Sequence, residues 1–359
     1  MIISVSDLHM GIKNNLDFFQ REKFSRFLDY LTEQKEPVDL IFNGDTFDFL
    51  SVLPWKVSDE KLAYRKVDEI ITANSSIFDK LKDFMKFDKN QITMLIENHD
   101  VELALRSVQT RICDAIDDGI EFAGNDYDVD GIHFEHGNTF DSWNRVDYYT
   151  LMHNFPQFRY PVGTKLVYDS LNQLIEEYPF VGILEPMLPA VPLLLIAVAP
   201  MLVIKTVPSI VKNKIQYLYE YLSGNFALQY ISDDFIACVL DALADMPKTA
   251  GQDYTKMLVA RALWGLQRYK GDKPPDYAND PIATAAKGMS YSLVVCGHTH
   301  ESCHVDNYYN TGCWTDMLTL PEDNYEDWVK SLVDGTFKRE SHCMYFKSDH
   351  DVEDLYEWV

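Results

Sequence analysis

Short apolar runs alternate with amphipathic stretches through the first third of the chain. Residues 1–6, 38–43 and 91–96 are compact apolar runs that stop at polar clusters, the pattern of strands buried on both faces. Between them, residues 17–34 set Phe18, Phe24, Phe27, Leu28 and Leu31 at helical spacing, and residues 60–87 continue in helical sequence. Residues 101–116 predict a further helix. This alternation predicts parallel strands in a sheet covered by helices, with right-handed crossovers that bring the strand C-termini to one edge.

The pattern then changes. Residues 127–129 and 132–136 flank Asp130-Gly131, a hairpin-turn signal. Residues 291–296, 302–305 and 308–310 continue the β pattern, with a turn at Asp306-Asn307. Two sheets packed face to face with helices outside would satisfy both halves. The core is expected over residues 1–143 and 290–359. Residues 144–289 form a long non-β stretch, expected to be a mainly helical cap inserted on a loop between two strands. Residues 186–204 inside it carry no charge. Their length would permit a membrane span, but Pro186, Pro189, Pro192 and Pro200 interrupt it, each at a cost of about 3 kcal/mol inside a helix. A buried cap segment or apolar substrate groove is the leading reading. A membrane-surface contact or a dimer interface is the second. An amphipathic helix over 252–269 and a linker over 270–281 lead back to the β core.

Composition narrows the function. The chain has 359 residues, 47% hydrophobic and 25% charged, with a formal net charge of −24. The length allows a large core, and the negative balance argues against a nucleic-acid partner, whose phosphates are met with Lys and Arg. Acidic runs at 322–327 and 349–357 read as solubilising surface. Six scattered cysteines without a C-x-x-C pair exclude zinc-ribbon and thioredoxin chemistry and suit reduced thiols in a cytoplasmic setting. No secretion signal is expected, because the first apolar run leads straight into a polar cluster.

That cluster is the first of five. Asp7-Leu8-His9, Gly44-Asp45-Thr46-Phe47-Asp48, Asn98-His99-Asp100, His136-Gly137 and Gly297-His298-Thr299-His300 each follow an apolar run. Two-residue spacing sends Asp7 and His9, or His298 and His300, the same way from a strand end. Gly44 and Gly297 suit tight turns. Carboxylate, imidazole and amide oxygen without thiolate fit Mn²⁺, Fe or Zn²⁺, and a bridging carboxylate can hold two ions about 3.5–4 Å apart, a spacing suited to displacement at phosphorus. Any one cluster alone would read as a surface accident, a helix cap or a core histidine. The ordered set reads as a dinuclear metal site. His133, His153, His304, His342 and His350 are assigned to structure or surface.

With these motifs the chain resembles the calcineurin-like metallophosphoesterase superfamily. The resemblance implies a four-layer α/β/β/α sandwich. It implies one metal on Asp7, His9, Asp45 and His300, and another on Asp45, Asn98, His136 and His298, with Asp45 shared. A hydroxide held between the ions would attack phosphorus, His99 would steady or protonate the departing oxygen, and Asp48 and Asp100 would orient a histidine. One departure is Glu97, where the family has glycine. It either points away or adds a carboxylate to the site. Within the superfamily the chain is most similar to the UDP-2,3-diacylglucosamine pyrophosphatase branch, through Gly44–Phe49, His136–Asp141 and Tyr309–Trp314. That branch has arginine at the place of His99 and a much shorter cap. The resulting expectation is hydrolysis of a phosphoester or pyrophosphate, with an apolar or acyl group in the cap as one reading of the substrate. A soluble phosphatase of small metabolites, a nuclease and a non-catalytic interaction module are the alternatives.

Overall fold

The computed structural model describes residues 1–141, 144–177, 179–183, 281–318, 335–349 and 352–359. Contacts divide the chain into two units: Met1–Ile183 with Asp276–Met317 and Glu340–Val359, and Leu184–Pro275 with Leu318–Arg339. Nearly all of the second lies outside the described residues, as do the apolar segment 186–204 and the helix expected at 252–269. Residues 144–183, expected to open the insertion, belong to the first unit.

That unit is a mixed α/β fold with two mixed sheets. The first has the order β11-β10-β1-β2-β3-β4, with β1 (Ile2–Val5), β2 (Asp39–Phe42), β3 (Gln91–Met94) and β4 (Glu121–Phe122) parallel. β10 (Cys343–Asp349) runs antiparallel to β1, and β11 (Val352–Trp358) antiparallel to β10. The second has the order β5-β6-β7-β9-β8. Its β6 (Ile132–Glu135), β7 (Leu293–Cys296) and β9 (Tyr308–Asn310) are parallel, while β5 (Asp126–Val129) and β8 (Cys303–Val305) close the edges antiparallel.

Period-two alternation divides the core. Ile3, Val5, Leu40, Phe42, Ile92 and Met94 face a cluster with α1 (Arg21–Thr32), α2 (Glu60–Ala73), α3 (Ser75–Phe84) and α4 (Arg106–Ala115). Ile2, Ile41 and Phe346 turn the other way and join Ile132, Phe134, Leu293, Val295 and Tyr309 of the second sheet. On α1 the buried residues are Phe24, Phe27, Leu28 and Leu31, the stripe expected from spacing. Each contributes roughly 1.5–3 kcal/mol on burial. The helix Pro281–Gly288 brings Ile282, Ala283 and Ala286 against Val294, Cys296 and Tyr308.

One expectation is corrected, and another gains a secondary structure. The helical stretch 60–87 is two helices meeting at Asn74, whose Nδ2 donates to Gly11 O (2.7 Å) and Ile70 O (2.8 Å) and whose Oδ1 accepts from Arg21 Nε (2.7 Å). The side chain thus anchors the segment just after His9. The acidic run 349–357 is largely strand β11, paired to β10 from Cys343↔Trp358 to Asp349↔Val352. Its exposed Glu353, Asp354 and Glu357 put charge on a sheet edge, where charge deters pairing with other chains. Among the described residues no helix is long and apolar enough to cross a membrane.

Candidate metal centre

All five polar clusters lie directly after the C-terminal ends of parallel strands: β1, β2 and β3 in one sheet, β6 and β7 in the other. The loops are joined by backbone hydrogen bonds. Asp7 N–H donates to Gly44 O (3.2 Å), His9 N–H to Asp45 O (2.9 Å), Phe49 N–H to His99 O (3.3 Å) and Gly297 N–H to His136 O (2.9 Å). Asn43, which belongs to none of the five clusters, joins the two sheets. Its Nδ2 donates to Val295 O (2.9 Å) and Glu135 O (3.3 Å), while its carbonyl accepts from His136 Nδ1 (2.9 Å).

The side chains gather into two groups that could hold cations: Asp7, His9 and His300, and Asp45, His136 and His298. The division implied by resemblance differs in sharing Asp45 between both sets and in adding Asn98 to the second. Asp7 Oδ1 lies 3.3 Å from His300 Nε2, 3.8 Å from His9 Nε2 and 3.7 Å from His136 Nε2. Asp45 Oδ2 lies 3.1 Å from His136 Nε2 and 3.9 Å from His9 Nε2, so it stands between the groups. A third grouping, His9 with Asp48 and His99, shares His9 with the first. Asn98 is buried.

The donor set passes a test of fit. Asp7 Oδ1, Asn98 Oδ1 and His136 Nε2 are enclosed yet form no hydrogen bond of good geometry. A buried polar atom left unpaired costs about 1–3 kcal/mol, and a coordinated cation satisfies oxygen and nitrogen lone pairs alike. His136 is already set for this role. Its Nδ1–H is given to Asn43 O, which fixes the ring with Nε2 3.1 Å from Asp45 Oδ2 and 3.7 Å from Asp7 Oδ1. Burial works against its charge, but Asp45 and Asp7 outweigh burial and push His136 up to about 10. Burial likewise raises Asp7, while the charge of His136 and the imidazoles of His300 and His9 beside it hold it well below the usual carboxylate range. Asp45 is depressed against its burial in the same way, first by His136 and then by His99.

The remaining candidates have distinct partners. His99 Nδ1 lies 3.1 Å from Asp48 Oδ1, and its backbone N–H donates to Asp45 Oδ1 (3.1 Å). Burial would lower His99, but Asp45 and Asp48 carry it up to about 8. Asp100 orients no imidazole through its hydrogen bonds. Its carboxylate accepts backbone N–H groups from Glu97 (2.8 Å), Thr46 (2.8 Å) and Phe47 (3.2 Å), so it clamps two of the loops together. The carboxylate that does orient a histidine, and that the motif spacing does not single out, is Asp141. Its Oδ2 sits 3.1 Å from His298 Nε2 and accepts from Asn144 Nδ2 (2.7 Å). The sequence does carry a signal for it, since Asp141 ends the stretch His136–Asp141 that supports the resemblance. Glu97 turns inward. It is fully buried and accepts a hydrogen bond from Tyr148 Oη. Burial holds its carboxyl well above the usual range.

His133 pairs with Asp128, His153 with Tyr149 O, His304 with Asp306 O and His342 with Glu357. His350 lies outside the described residues. No family model matches the chain, and no curated protein matches it.

Proposed function

We propose that the chain is a dinuclear-metal-dependent phosphoester hydrolase with the four-layer α/β/β/α sandwich of the metallophosphoesterases. Helices on one side of each sheet, and apolar side chains shared between the sheets, support that architecture. The observation that carries the reading is the meeting of five sequence-distant clusters at one edge, with enclosed ligand atoms lacking hydrogen bonds. Asp7, His9 and His300 would hold one divalent cation, Asn98, His136 and His298 the other, and Asp45 both. Mn²⁺ suits this oxygen- and nitrogen-only set, with Fe and Zn²⁺ as further fits. When bound, such ions supply Lewis-acid charge and an activated water at phosphorus.

The chain's own groups do the rest. Asp48 fixes the His99 ring through Nδ1, which leaves Nε2 to carry a proton to the departing oxygen. Asp141 fixes His298, and Asn43 fixes His136, so neither imidazole can turn away. The substrate class is a phosphoester or pyrophosphate. The acyl-bearing reading rests on residues 186–204, and nucleic acid is disfavoured by the net charge of −24. The test is hydrolysis of bis(p-nitrophenyl) phosphate by the Mn²⁺-loaded chain. Turnover that chelation removes and Mn²⁺ restores is expected. A metal-loaded chain inert towards aryl diesters, monoesters and lipid pyrophosphates would overturn the reading.

A further inference from the structure

Lys66 lies in the middle of α2 with none of its surface exposed. A buried ammonium is costly unless its donors are matched. Here Nζ donates to Phe49 O (2.8 Å), lies 3.4 Å from Tyr168 Oη, and sits 5.1 Å from the centre of the Tyr168 ring. Burial lowers Lys66 to about 8, against the charges of Glu102 and Asp48. The proposed hydrolysis gives this lysine no task.

Its one strong hydrogen bond is to the residue after Asp48. The carbonyls from 48 to 51 all accept from side chains: Asp48 O from Ser51 Oγ (2.9 Å), Phe49 O from Lys66, Leu50 O from Asn172 Nδ2 (2.8 Å) and Ser51 O from Asn14 Nδ2 (3.2 Å). The loop makes no regular ladder of its own, and three of these four donors come from outside it. Lys66 is the only charged donor of the four. The Phe49 peptide is gripped on both sides, since its N–H donates to His99 O (3.3 Å) while its carbonyl faces Lys66. The same two loops carry the Asp48–His99 side-chain contact at 3.1 Å.

We infer that Lys66 is a positioning residue that holds the Asp48 loop, and through it the His99 ring, in the geometry of proton delivery. The inference rests on the proposed phosphoester chemistry. Lys66 touches neither the ligand set nor a substrate, so its loss leaves metal and substrate binding in place and slows the step that uses His99.

A double-mutant cycle tests this on the Mn²⁺-loaded protein with bis(p-nitrophenyl) phosphate. Lys66→Met alone is expected to lower kcat about tenfold, equivalent to about 1.4 kcal/mol, with KM and Mn²⁺ content unchanged. In a His99→Ala background it is expected to cost nothing further, because residues acting through one group are not additive. An equal loss in both backgrounds, or an unchanged kcat in folded Lys66→Met, would overturn the inference. Should Lys66→Met fail to fold, Lys66→Gln, which carries no charge and ends one bond short of the place where Nζ meets Phe49 O, is carried through the same cycle, where the same results support or overturn the role. A readout without turnover uses histidine-labelled, Zn²⁺-loaded protein: Lys66→Met should shift the His99 ring nitrogen resonances and leave those of His304 in place. Unmoved His99 resonances count against the role of Lys66, whereas an inert wild-type enzyme counts against the hydrolase reading.

Discussion

Asp7, His9, Asp45, His298 and His300 hold their backbones in the left-handed region, with φ between 46° and 71°. Such conformations cost non-glycine residues of order 1–3 kcal/mol each and persist where surrounding structure enforces them. Here the enforcement is the set of hydrogen bonds between loops, and the return is five side chains turned to one place. Two glycines make room for them. Gly44 has φ 89° and a Cβ there would strike Glu97 and His136, while a Cβ at Gly297 would strike Asp7 Oδ2 and Ser6 Oγ. Gly297→Ala should therefore weaken Mn²⁺ binding while circular dichroism stays that of the parent, as isothermal titration would record. His99→Ala should keep full metal content and lose about 10²–10⁴-fold in kcat; normal turnover at full metal loading would remove His99 from the mechanism. These positions were legible because each follows an apolar run and carries a side chain that can ligate a metal. Asn43 and Lys66 were not. Their roles depend on partners far away in sequence, and a lysine in an amphipathic helix reads as solvent-facing until the fold buries it.

Among the elements, strands of the parallel type were the most legible, since burial on both faces makes them continuous apolar runs. β11 was hidden because its exposed acids mask the alternation by which Tyr356 and Trp358 pack on one face and Leu355 on the other. The break at Asn74 was hidden because both flanking helices keep the same period. Residues 101–116 begin with a 3-10 turn, Val101–Ala104, before α4 starts at Arg106. On β6, the outward-facing His133 binds Asp128 of β5 (2.6 Å) and stacks on Tyr291 at 4.3 Å. Burial opposes its charge, but hydrogen bonds to Glu135 and Asp128 raise its pKa above 6.5. A raised histidine stabilises the fold fully below its unfolded value and loses that contribution as pH climbs through the folded one. Asp128→Asn should thus lower Tm more at pH 5.5 than at pH 8.5. Equal losses at both pH values in thermal melts would show that the pair carries no charge.

At the level of the whole molecule, the net charge of −24 sets how the chain meets phosphates. That balance disfavours a phosphate backbone as partner, and in the proposed reading attraction to phosphate is local, at the cations the site would hold. Turnover of an aryl phosphodiester should accordingly change little between about 50 and 200 mM salt, a range that costs a multi-contact DNA binder about 10³-fold or more. A steep fall would restore the nuclease alternative. The central claim is that Asp45 stands between two cation sites built from both sheets, and metal stoichiometry tests it most directly. Elemental analysis after Mn²⁺ loading and desalting should give two ions per wild-type chain and a clear loss of both sites in folded Asp45→Ala. A wild-type chain that retains no metal, or an Asp45→Ala chain that still retains two ions, would contradict it.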